Sequence, residues 1–544
     1  MKNNNLIKAV LFSSILFIGI LLLGNIIYES NDEFYMNLFA NGLYSHGEFM
    51  LYPGIIFGYF LKTMYLITDK VNMFTVFLIV AVYISTIIFN YYILKKFKFK
   101  LGLTIILLLS CTFYLEVYLN LQYTKVAAFM TTASLFILLL DNKVLNKSLG
   151  SLLLILGLSL RVQAALIPIA CAMLVTLPSL FSKHRTNILK IYIFVGMSFS
   201  IFFISNIMYS LNHSFHMENI AYDKERVNIQ DYGVEEYIDL KESYDKIGVS
   251  PNDLSMAMYW LTGDNNYFNT IFFQDINNVQ PNSIKYDVIL GSFVNTIKSM
   301  LNFYRNIYVL SAVILLVFNF LFNNKYRREI LLIGLFFVTM VFYFNLIGRY
   351  LWRVEYSLLV SVTMFGLLFS KDDSKINQSV LFKILTLSLV LVIGISYNFK
   401  LSRNWLVQKT QYDQNYHRYM DELANYPDEI FLVDMVSVKT ADQFDVFDNP
   451  DEGYVSNSAY LGGWLINLPG YQEHLGKLGI NNVYKDLTHN KKLRLLFADE
   501  NRIYFIEKHL NSNYCKTSNC YDIIIDKHIY DIPVFKVVNT VDDQ

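Results

Sequence analysis

Residues 29–67 read ESNDEFYMNLFANGLYSHGEFMLYPGIIFGYFLKTMYLI, and what flanks this polar, aromatic stretch decides the fold. Before it, residues 9–28 run without a charge after Lys2 and Lys8, long enough to cross a bilayer, which needs about 20 apolar residues. No small-x-small cleavage site follows; NIIYESNDE continues, so an uncleaved first transmembrane helix is predicted. Beyond the stretch come further apolar blocks at about 71–94, 101–115, 124–140, 148–160, 163–181, 191–210, 304–322, 330–347, 354–369 and 384–399. That makes about 11 predicted spans, the pair at 148–181 being the least regular because its first member is short and Pro168 interrupts its second. Charged residues make up 17% of the 544 and hydrophobic residues 54%, whereas soluble domains carry about 25% charged residues. An ordinary soluble protein is excluded, and the fold class is a polytopic α-helical membrane protein.

Lys and Arg orient it. With the N-terminus in the cytoplasm, the inner segments 1–8, 95–100, 141–147, 182–190, 323–329 and 370–383 hold 17 of these cations, and the short outer segments hold six: Lys62, Lys70, Lys125, Arg161, Arg349 and Arg353. This places three hydrophilic pieces outside: 29–70, 211–303 and 400–544. The predicted organisation is a multi-span membrane domain over 1–399 and an extracytoplasmic soluble domain over 400–544. In the latter, EIFLVDMVSV, RIYFIEKHL and YDIIIDKHIYDIPVFKVV read as strands and NKKLRLLFADE as a short helix, giving an α/β or α+β domain. Cys515 and Cys520 can pair there or remain free thiols, while Cys111 and Cys171 fall in apolar blocks. Net charge is zero, so no basic field points to nucleic acid as a partner. Gly-rich phosphate loops, HExxH and GxSxG are absent from the sequence.

Within the opening stretch, Asp32 and Glu33 stand a few residues past the predicted membrane edge. Phe34, Leu38 and Leu43, then Ile55, Phe60, Leu61 and Met64, mark two amphipathic segments predicted to lie on the outer leaflet. A carboxylate at that height can take a proton from a hydroxyl or hold a divalent cation. The bland alternative is that the SNDE run only caps the next helix. His46 and Glu48 are weak metal candidates, one His with scattered carboxylates being a poor site. The outer cations run against the orientation rule: Lys125, Arg161, Arg349 and Arg353 all fall at predicted outer helix ends. Arg349 and Arg353 are four apart, which predicts one shared helix face, and guanidiniums fork onto phosphate oxygens. Snorkelling to head groups, or pairing with Glu116 and Glu355, is the alternative. Glu116 reads either as a second site carboxylate or as the partner of Lys125. Trp352 reads as an interfacial anchor, Arg226 as a solvated loop charge, and Trp260 with Tyr259 as packing or as a surface for a sugar ring.

The segment NDEFYMNLFANGLYSHGEF, with its acidic opening and the turn formed by Gly42, Tyr44 and Gly47, and more loosely GRYLWRV at 348–354, resembles GT-C superfamily membrane glycosyltransferases, in particular GT-C-like proteins of Gram-positive bacteria. The resemblance covers the whole chain as architecture and residues 31–60 in sequence detail. It implies an enzyme that moves a sugar from a polyprenyl-phosphate-linked donor to an extracellular cell-envelope glycan or glycolipid. The matching position for a base or metal ligand is Asp32, with Glu33 replacing the second Asp of some members. The expectation is therefore inverting transfer with Asp32 and Glu33 as catalytic residues. Arg349, Arg353, Arg161, Lys125 and Glu116 would contact substrate, and a divalent cation is a possible cofactor. A polysaccharide polymerase or ligase is the nearest alternative. A flippase of lipid-linked sugars would need ionisable residues within the spans, whereas here they gather at one edge. An assembly protein binding a partner through residues 400–544 is a third class.

Overall fold

The computed structural model describes residues 2–181, 185–281, 286–301, 306–322, 324–369, 422–438, 440–516 and 520–540. The predicted span at 384–399, the inner segment at 370–383 and the boundary at 399/400 lie outside the described residues. Each of the first ten predicted blocks is helical. Seven helices among the described residues are long and apolar enough to cross a membrane: Asn4–Leu23, Met73–Lys96, Phe99–Leu119, Tyr123–Leu140, Val162–Phe181, Arg185–Asn212 and Arg327–Leu346. Val144–Leu160, Asn306–Phe322 and Trp352–Leu368 are apolar but only 17 residues long. The first helix ends at Leu23, earlier than its charge-free block, because the chain turns at Gly24 to form a short strand, β1 (Ile27–Tyr28). A Cβ at Gly24 would collide with the Ile20 carbonyl and the Leu119 side chain.

The Tyr123–Leu140 helix is the centre of the bundle, with every residue from Tyr123 to Leu138 buried. Small residues make that possible: Gly157 of the following helix packs directly on Thr131, as small-residue contacts do where helices approach closely in membranes. β1 pairs in parallel with β2 (Asn120–Leu121), tying the start of the 29–67 stretch to the start of this central helix.

The expectation that this stretch floats on the leaflet is half wrong. Ile55–Tyr65 does leave Tyr59 and Phe60 exposed. The Asp32–Ala40 helix, however, is buried from Glu33 to Ala40 because residues from the C-terminal part of the chain cover it. Phe34 stacks on Phe444 at 5.1 Å, the Tyr35 hydroxyl meets Thr440 Oγ1 at 2.9 Å, and the Asn37 and Asn41 amides both donate to Asn449 Oδ1 at 3.0 Å. Tyr44 packs edge-on to Tyr471 at 5.4 Å, and a Cβ at Gly470 would strike the Ser45 carbonyl.

That C-terminal part holds a five-stranded mixed sheet with β3 (Ile430–Val433), β4 (Ser458–Tyr460), β5 (Leu493–Leu496), β6 (Tyr521–Ile529) and β7 (Ile532–Asn539) in the order β4-β3-β5-β7-β6. β4, β3 and β5 run parallel, and the β6–β7 hairpin joins antiparallel. Two local predictions are reversed here. LRLL is strand β5 instead of helix, a short run buried in the sheet interior. RIYFIEKHL is helix instead of strand, because Ile503, Ile506 and Leu510 recur at helical spacing and are its buried face. Cys515 and Cys520 form a disulfide.

Candidate functional site

A cavity of about 1160 Å³ opens where several helices of the bundle begin or end, and Asp32, Arg161, Arg349 and Arg353 all line it. Asp32 is the first residue of its helix. Asn31 occupies the cap position without a side-chain cap bond, and Asp32 and Glu33 stand in the first turn, where a helix end favours negative charge, as the bland alternative expects. Burial raises the Asp32 carboxyl above its ordinary value, while Arg353 and then Arg161 pull it back down and Asp231 adds to the rise. The acid therefore lines the cavity half-buried, and the strongest fields on it are those of two cations.

Arg161 stands in extended conformation between the Val144–Leu160 and Val162–Thr176 helices. Its guanidinium lies over the rings of Tyr52 and Tyr123, 4.7 and 5.6 Å from their centroids, a cation–π arrangement that holds the group without neutralising it. Arg353 is in the first turn of the Trp352–Leu368 helix. Neither arginine makes an ion pair among the described residues. Arg349 differs, and the shared helix face expected for the pair is not formed. The preceding helix ends at Leu346, Gly348 takes φ +70°, and Arg349 precedes the next helix in a turn. From there Arg349 Nη2 pairs with Asp231 Oδ2 at 2.9 Å and its guanidinium covers Tyr232 at 5.2 Å.

Three expected site residues lie away from the cavity lining. Glu33 is buried and caps the central helix: its Oε1 accepts the Tyr123 N–H at 2.8 Å and its Oε2 accepts the Ser30 hydroxyl at 3.0 Å. Burial, reinforced by the Asp32 charge, pushes its carboxyl up to about 8. Lys125 and Glu116 pair with each other at 2.7 Å in the interior, and Lys125 also pairs with Glu29. Glu116 further accepts from Trp352 Nε1 at 2.7 Å, Tyr308 at 3.0 Å and Asn120 at 3.0 Å, so Trp352 is a half-buried member of this network. His46 and Glu48 are also outside the lining: His46 bonds Glu473 at 3.1 Å, and Glu48 accepts from Lys62 at 2.8 Å.

Further walls come from the 211–303 loop and from the C-terminal sheet region. The Ser214–Gln230 helix supplies Asp223, Lys224 and Val227, and Trp260 follows from the same loop. Arg226, read as a solvated charge, is 0% exposed. It pairs with Asp223, donates to Gln230 at 2.5 Å and sits under the Trp260 ring at 4.9 Å. The i−3 and i+4 spacing of Asp223 and Gln230 was the available signal. Tyr259 points elsewhere, against Phe505. Met435, Val436, Ala441 and Trp464 close the cavity from the C-terminal sheet region. One wall is apolar: Phe202, Phe203 and Ile207 of the Arg185–Asn212 helix line the cavity, yet Phe203 and Ile207 remain 50% and 55% exposed, so the cavity is continuous with the flank of a membrane-length helix.

Among the described residues, no three His, Cys, Asp or Glu side chains gather as a cation site. Positive charge in the cavity comes from the guanidiniums of Arg161, Arg349 and Arg353 and from Lys224. No family model, curated protein or solved structure matches the chain. The site's chemistry is therefore the ground for any functional reading.

Proposed function

We propose that the chain is a GT-C-like membrane glycosyltransferase that moves a sugar from a polyprenyl-phosphate-linked donor to a hydroxyl of a cell-envelope acceptor on the outer face of the membrane. One observation carries this reading: a single cavity joins a half-buried carboxylate, two guanidiniums without carboxylate partners among the described residues, and an apolar wall exposed on a membrane-length helix. An anionic head group on a lipid tail matches that combination, since the charge meets Arg161 and Arg353 while the tail follows Phe203 and Ile207. The bias of Lys and Arg between alternate loops supports an outer site, a cytoplasmic N-terminus and about 11 spans.

In this mechanism Asp32 accepts the proton of the acceptor hydroxyl. The oxygen attacks the anomeric carbon, the bond from that carbon to the phosphate oxygen breaks, and polyprenyl phosphate leaves with the electron pair. Arg353 and Arg161 stabilise the charge that develops on it. One in-line displacement inverts the anomeric centre. No step is routed through a divalent cation. Glu33, neutral near pH 7, lends no second base and instead holds the backbone that carries Tyr123.

The test is turnover by the full chain in nanodiscs, supplied with polyprenyl phosphate carrying a radiolabelled hexose and a crude envelope acceptor fraction. Labelled acceptor and free polyprenyl phosphate in equal amounts are expected. Label that crosses the bilayer of proteoliposomes with its lipid linkage intact, and no transfer, would replace this reading with a flippase.

A further inference from the structure

The turn Leu461–Leu465, LGGWL, brings Trp464 to the cavity beside Asp32. Its two glycines allow a close fit. A Cβ at Gly462 would collide with the Trp260 carbonyl, and one at Gly463, where φ is +94°, would collide with the Met435 sulfur. Trp464 is only 4% exposed, packs on Tyr52 with ring centroids 5.1 Å apart, and its indole N–H faces the Asp32 carboxyl, which it helps hold down, from beyond the reach of a closed hydrogen bond. Buried indole N–H groups ordinarily find an acceptor. Trp260 borders the same cavity from the 211–303 loop and holds φ +63°, a left-handed conformation that a bulky side chain adopts only where its surroundings enforce it. Two tryptophans from two separate segments thus line the cavity that holds the acid.

An anion between the two groups would suit the N–H but not the Asp32 carboxylate that it faces. A hydroxyl suits both, since it donates to the carboxylate and accepts from the indole. We propose that Trp464 and Asp32 form a saccharide subsite in which one sugar hydroxyl bridges the indole N–H and the carboxylate, with the sugar ring bounded by Trp260. This rests on the glycosyl-transfer reading for the identity of the site, and it makes the C-terminal region a contributor to sugar recognition. Trp464 acts by positioning the hydroxyl whose proton Asp32 removes.

The test compares binding of three probes to the full chain in nanodiscs: bare polyprenyl phosphate, the same lipid carrying one glucose, galactose, mannose or N-acetylglucosamine, and the free methyl glycosides of those sugars. The lipid-borne sugars report a donor-side source of the hydroxyl and the glycosides an acceptor-side source. At least one sugar probe should show an affinity increment of about tenfold, the scale of one hydrogen bond: the lipid-borne sugar over bare lipid, or one glycoside over the others. Trp464→Phe, which keeps an aromatic ring and loses the N–H, should erase the increment. Replacement of Trp464 by the sulfur isostere β-(3-benzothienyl)alanine should do the same with the ring shape preserved. An increment absent for every sugar, or fully retained without the N–H, overturns the subsite. Failure of bare lipid to bind the wild type counts against the proposed function instead, and the glycosides still decide the subsite.

Discussion

Replacing Arg161, Arg353 and Arg349 by Lys, one at a time, should separate the three guanidiniums that share the cavity. Arg161 and Arg353 have no carboxylate partner among the described residues, whereas Arg349 is already paired with Asp231 at 2.9 Å. Lys keeps the charge but loses the planar fork that grips two phosphate oxygens. A hydrogen bond to a charged group contributes about 1.5–3 kcal/mol, so losing one bond of a forked pair should weaken lipid-phosphate binding by about 10- to 100-fold. Arg161→Lys also gives up its planar contact with the Tyr52 and Tyr123 rings, placing it toward the upper end. Arg349→Lys exchanges one half-exposed pair with Asp231 for another, where the cost is about 0–1 kcal/mol. Asp231→Asn releases Arg349 and removes a negative charge from the cavity, so binding should tighten. The assay is equilibrium binding of bare polyprenyl phosphate in nanodiscs at two salt concentrations, with protein levels matched. Equal losses in all three Lys variants, or losses only in Arg349→Lys, would refute the division of roles.

Transfer should fall on the acid side as Asp32 is protonated, and the limb should lie above the ordinary carboxylate range because burial raises this group. Arg353→Gln should move the limb of the kcat/KM profile further toward alkaline pH, since Arg353 is the larger of the two cationic influences that lower it. For Glu33, the folded value of about 8 exceeds the unfolded value of 4.5, so its contribution to stability is fully present below pH 4.5 and is lost as pH rises through about 8. Glu33→Gln stays neutral and should melt with a flatter pH dependence between pH 5 and 8; an unchanged slope would remove Glu33 as the source. Lys125→Met strands Glu116 and Glu29 and should lower stability by about 3–5 kcal/mol, with Glu116→Gln in the same chain giving partial recovery in detergent melting.

Helix positions were legible because bilayer-length apolar blocks are a local property, and the acid at 32 was legible because its neighbours mark a membrane edge. What escaped depends on tertiary partners. The Asp32–Ala40 helix has the aromatic pattern of an interfacial helix, and only Phe444, Thr440 and Asn449, some 400 residues on, bury it. The face shared by Arg349 and Arg353 failed on a local signal that was present, the Gly348 turn between two helices. LRLL and RIYFIEKHL exchanged roles because short apolar runs carry both periods. Trp464 could not be placed beside Asp32 from spacing at all, although the tandem glycines before it marked a close backbone approach.

The central claim, that Asp32 is the base of a glycosyl transfer, is tested most directly by single-turnover transfer from labelled polyprenyl-phosphate hexose in wild type and Asp32→Asn, with donor affinity measured in parallel. Asn preserves shape and removes the base. The expected result is a rate loss of about 100-fold or more with donor affinity equal to or tighter than wild type, since a negative charge near the phosphate is removed. Wild-type transfer by Asp32→Asn would contradict the account.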